Sequence, residues 1–158
     1  PADPNPDRLI SRTYATIGEF AKATQYAESA VKDAPADASL RGNYGVMLYH
    51  TADWVEAAVQ LGLTINGGRT ESGDLIKSLA LTTDTRVAEY YFTYALALAR
   101  LNRCGEALPI ANLILGRVPA DEIAVANANE VFGICEANLS ATPVPTLAEP
   151  TVTTTPTP

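Results

Sequence analysis

The chain has 158 residues, 47% of them hydrophobic, and a formal net charge of −7. That length supports one domain with a core of its own. Lys and Arg are few and form no basic stripe, which excludes a phosphate-neutralising nucleic-acid surface and disfavours anionic membranes. No apolar run approaches the roughly 18–20 residues that span a bilayer, so no direct membrane insertion is expected of this segment.

From the N-terminus, Leu9, Ile10, Tyr14 and Ile17 recur at helical spacing up to a break at Gly18-Glu19. Phe20, Ala23, Tyr26, Ala27, Ala30 and Val31 follow, and Ala34-Pro35 ends the run. The pattern predicts two amphipathic helices joined by a tight turn and stopped by a proline. A second unit has Tyr44, Gly45, Leu48 and Tyr49, a break at Ala52-Asp53, then Trp54, Ala57, Ala58, Leu61 and Ile65. A third has Tyr91, Tyr94, Ala95, Leu98 and Leu101, a break at Asn102-Arg103, then Cys104, Ala107, Leu108, Ala111 and Ile114, ending at Val118-Pro119. One more helix is expected over about 121–139. Tyr94 reads as core, and Tyr90 and Tyr91 as packing against the segment before their helix. Glu19, Asp53 and Glu106 stand at the starts of second helices, where a carboxylate favours the positive end of the helix dipole.

Three stretches share one plan: GEFAKATQYAESAVKDAP (18–35), TADWVEAAVQLGLTI (51–65) and NRCGEALPIANLILGRVP (102–119). NYGVMLY and TYALALARL match in the preceding helices, with a small residue, Gly45 or Ala95, one after an aromatic. Self-similarity near 34 residues with these small residues at helix crossings resembles the tetratricopeptide-repeat (TPR) family. The resemblance implies an all-α fold: a right-handed superhelical stack of about three helix hairpins plus a closing helix. It also implies a groove lined by the first helix of each hairpin. The repeat frame puts Arg8, Arg12, Val46, Tyr49, His50, Phe92, Leu96 and Arg100 on that face. The family's best-known groove grips a C-terminal carboxylate with Lys, Asn and Arg. Arg8, Arg12 and Asn43 fall near such places, but Glu89 stands where a basic residue is wanted. A groove of this mixed character suits an extended peptide with apolar side chains.

Units two and three are separated by about 50 residues rather than 34. The surplus, 66–86, carries turn signals at Gly67-Gly68 and Ser72-Gly73-Asp74, and LIKSLAL alternates in part like a half-buried strand. A β-hairpin-like insertion or compact loop is expected there, either a plain exposed insertion or a contact element. The domain is placed at 1–140. The tail, 141–158, reads ATPVPTLAEPTVTTTPTP; its Pro and Thr content is too poor in apolar surface to fold alone and favours extended conformations.

Cys104 and Cys135 each stand about 15 residues from the turn at Pro119-Ala120. In an antiparallel helix pair that puts them at one height, as a disulfide needs, although two reduced buried thiols fit the same positions. A disulfide implies an oxidising compartment: extracellular, cell-surface or periplasmic. The start at Pro1 rather than Met is taken as the mark of a processed chain. The tail resembles O-glycosylated stalks, which makes Thr142, Thr146, Thr151, Thr153, Thr154 and Thr155 candidate acceptors, and Asn138-Leu139-Ser140 is an N-glycosylation sequon.

No catalytic constellation is legible. The lone histidine leaves no triad or zinc set, and no phosphate-binding loop or dinucleotide fingerprint occurs. The expectation is a non-enzymatic scaffold without cofactor or metal whose partner is protein. The partner is either another copy, joined head-to-tail into a homo-polymeric filament through the tail, or a different protein whose peptide the groove takes.

Overall fold

The computed structural model describes residues 3–141. The elements in order are α1 (Asn5–Thr16), α2 (Phe20–Asp33), α3 (Ala38–His50), α4 (Trp54–Asn66), β1 (Gly68–Arg69), β2 (Leu75–Ile76), α5 (Thr85–Arg100), α6 (Cys104–Arg117) and α7 (Glu122–Ala141). Helices α1–α2, α3–α4 and α5–α6 form three hairpins, each packed on the next, and α7 closes the stack against α5 and α6. None of the described helices is long and apolar enough to cross a membrane.

Local chemistry sets the boundaries. Asp37 caps α3, its carboxylate accepting from the Ser39 and Leu40 amides at 2.8 and 3.1 Å. Asp84 caps α5 and Asp121 caps α7 in the same way. Each hairpin turn holds one residue in the left-handed region: Gly18 (φ +79°), Ala52 (φ +62°) and Asn102 (φ +59°). Glycine adopts that conformation freely and asparagine tolerates it; alanine pays about 1–2 kcal/mol for the Cβ. Ala52→Gly is therefore expected to stabilise the protein by up to about 1 kcal/mol, less the glycine's extra unfolded-state entropy, as read by urea denaturation.

Alanines occupy the crossings. Ala23, Ala27, Ala57, Ala95, Ala107, Ala111, Ala124 and Ala128 have no exposed surface, and Leu61, Leu98, Ile114 and Val131 fill the spaces between. A close crossing lies within the second hairpin, where a Cβ on Gly45 would stand 2.5 Å from Leu61 Cγ. Helix α3 is buried nearly all round because α1, α2, α4 and α5 all pack on it.

The insertion occupies 67–84 between α4 and α5. It starts as a hairpin with Gly68 paired to Ile76 and Arg69 to Leu75. The strand expected across LIKSLAL stops at Ile76, because β1 offers only two residues to pair with. Beyond it, the Leu79 amide donates to the Thr64 carbonyl at the end of α4, and Tyr91 Oη donates to Leu79 O at 2.8 Å. Buried Ile76 and Leu81 seat the segment on the core.

Candidate functional site

Helices α1, α3, α5 and α7, on which the TPR resemblance places a groove, are successive neighbours in the stack. Three residues expected on that face are inside the stack instead. Asn43 is 4% exposed and donates to Ser11 Oγ at 3.2 Å, while Val46 and Leu96 are 2% and 3% exposed. Asn43 thus faces α1, and Val46 and Leu96 belong to the main apolar core of the stack. Arg8 and Arg12 are part-exposed on α1. His50 stacks on Phe20 at 4.2 Å between centroids and meets Tyr49 edge-on, so both are held at the end of α3; burial lowers the His50 pKa. Arg100 pairs with Glu130 of α7 at 3.0 Å. The carboxylate grip that Glu89 already argues against is disfavoured further, because Asn43 is sealed in.

Of the anticipated tyrosine contacts, Tyr91 does reach the insertion. Tyr90 covers Gly42 of α3 and donates to Ser39 O at 3.1 Å. Tyr94 is part-exposed and rests over Gly62.

Phe92 does line open space. With Thr85, Glu89, Asp121 and Ile123 it borders a cavity of about 210 Å³ between α5 and the start of α7. A larger one of about 580 Å³ shares Thr85, Asp121 and Ile123 and extends over Arg117 and Pro119. Ile123 is 69% exposed. The repeat frame covers the three full hairpins and so leaves this closing-helix residue out. Its signal was an isoleucine in the first turn of α7, out of phase with the buried stripe Ala124, Ala128, Val131 and Cys135. Phe92 and Ile123 give this cavity an apolar lining, and Glu89 and Asp121 an acidic one.

Burial raises the Glu89 pKa, opposed in part by Arg86. An acid whose folded pKa is raised adds stability only while protonated. Its contribution is present below the unfolded value and is lost as pH rises to and through the folded value. Glu89→Gln is therefore expected to stabilise the protein at pH 7 and to lose that advantage in acid, which thermal melts across pH would read.

Cys104 and Cys135 form a disulfide, with Cα atoms 5.6 Å apart, at positions 31 apart in sequence. It ties the start of α6 to the second half of α7. Asn138 lies one turn on. Its Nδ2, the atom a glycan would occupy, donates to Ala99 O at 3.0 Å and lies 3.9 Å from Cys104 Sγ. In the folded domain Asn138 is thus a packing residue of α7. Thr142, Thr146, Thr151, Thr153, Thr154 and Thr155 lie outside the described residues.

The sequence matches no family model and no curated protein. Solved structures do match. The TPR domain of Arabidopsis OM64 aligns over 83% of this chain and 95% of its own, at a TM-score of 0.63 and 14% identity. The TPR2B domain of yeast Sti1, in its complex with pHsp70, aligns over 87% of this chain and 97% of its own, at a TM-score of 0.59 and 17% identity. Those identities make the likeness one of fold, and the fold is that of a TPR domain.

Proposed function

We propose that this chain is a non-enzymatic scaffold that binds protein through the α5–α7 end of its groove and works outside the cytosol. The observation that carries this is the pair of adjoining cavities that share the exposed Ile123, the smaller of them also bordered by Phe92. Apolar anchors of this kind take up side chains of an extended peptide. A protein of like fold that holds a protein partner is consistent with it. The Cys104–Cys135 bridge supports an oxidising setting. Free thiols at both positions in natively purified material, seen by non-reducing mass spectrometry, would overturn the exported setting.

The favoured ligand is the tail of a second copy, which joins subunits head-to-tail. The segment PTLAEPTVTTTP carries Leu147 and Val152 as apolar anchors and one charge. A heterologous contact of this kind propagates into a filament unless it closes. Deleting 141–158 is expected to abolish polymerisation, and the synthetic tail peptide to shift the amide resonances of Phe92 and Ile123. Polymerisation of the truncated chain, or a monomeric full chain at high concentration, would overturn self-assembly. An adaptor for a different protein, with the tail as linker or glycosylated stalk, would then take its place.

A further inference from the structure

A separate cavity of about 610 Å³ lies between α4, the inserted hairpin and the turn before α3. It is independent of the groove and of any peptide bound there. Arg41 borders it and is only 9% exposed. The Arg41 Nε donates to Pro35 O at 2.7 Å and its Nη1 to Gln60 Oε1 at 2.6 Å. Gln60 Nε2 in turn donates to Glu56 Oε1 at 2.7 Å. Arg41 and Glu56 are therefore joined through one neutral amide, and among the described residues no ion pair holds Arg41 to a carboxylate.

That relay leaves two ends of opposite sign on one cavity. A guanidinium has five N–H donors, and the Arg41 Nη2 donates no hydrogen bond among the described residues. A carboxylate has about four acceptor sites, and Glu56 uses one. Val59, 49% exposed, and Leu63 form an apolar wall beside them. The hairpin contributes Arg69 and Glu71, so the charged lining holds two cations and two anions. A simple anion or a simple cation would each meet a like charge there. A ligand carrying one charge of each sign meets a partner for both.

We infer that this cavity binds a small zwitterion of the α-amino-acid type with an aliphatic side chain. Its carboxylate pairs with Arg41, its ammonium with Glu56, and its side chain lies on Val59 and Leu63. The hairpin closes the cavity, which gives the extra residues between the second and third hairpins a role.

The test titrates the full chain with L-leucine, N-acetyl-leucine and leucine amide, followed by amide NMR. Leucine is expected to shift Arg41, Glu56, Gln60 and Leu63 and to saturate in the millimolar range, with each capped form about tenfold weaker or more. Glu56→Gln keeps an acceptor for Gln60, and an unchanged far-UV spectrum checks its fold. It is expected to lose about tenfold in leucine affinity, the size of one charge-assisted hydrogen bond. Val59→Asp, at a half-exposed position, is expected to abolish binding without unfolding the chain. Absence of shifts at about 20 mM leucine, equal binding of all three ligands, or unchanged affinity in Glu56→Gln would each overturn the site.

Discussion

Replacing both Cys104 and Cys135 with serine is expected to lower the unfolding free energy by roughly 3–4 kcal/mol. The bridge closes a loop of 31 residues that contains the α6–α7 connection. In the chain-entropy account such a loop restricts the unfolded ensemble by about that amount. Its local effect is expected to exceed its global one. Among the described residues, helix α7 packs on α5 and α6. Its buried stripe of Ala124, Ala128, Val131 and Cys135 is small-residue rich, so it buries modest apolar area per turn. Hydrogen exchange should show protection falling first in α7 and only weakly in α1–α4. Equal urea midpoints for the wild type and the double serine variant would contradict this.

The second large effect is expected at the Gly45–Leu61 crossing. Leu61 has no exposed surface, and truncation to alanine should cost about 2–5 kcal/mol by leaving a cavity. Gly45→Ala should cost about 1–3 kcal/mol, because its Cβ would stand 2.5 Å from Leu61 Cγ and 3.2 Å from the Leu61 amide nitrogen. The better helix propensity of alanine offsets part of that. The double variant should be less destabilised than the sum by about 1 kcal/mol or more, since removing the Leu61 side chain clears the space the new methyl needs. Strict additivity in urea denaturation would show that the two helices separate rather than clash.

These two effects differ in how far the sequence announced them. The cysteine pair was placed at one height by counting from the Pro119-Ala120 turn, and the bridge is there. Gly45 was legible as the small member of the crossing pattern, but its contact with Leu61 required coordinates. The groove was the least legible part. The helical frame puts Asn43, Val46 and Leu96 on its surface, whereas the packed stack buries all three. Period alone says which residues share a face of one helix. It does not say how closely the neighbouring helix approaches that face.

The sequence by itself determined the three helix hairpins, their turns, the closing helix and the hairpin-bearing insertion, all of them local consequences of apolar spacing, proline stops and glycine or asparagine turns. Tertiary structure alone decided which open surfaces remain. It joined Phe92 to Ile123 across α5 and α7, and it brought Arg41, Glu56 and the hairpin around one cavity. Those groupings depend on distances between side chains far apart in the chain, which are fixed by how the helices pack rather than by the period of any one of them.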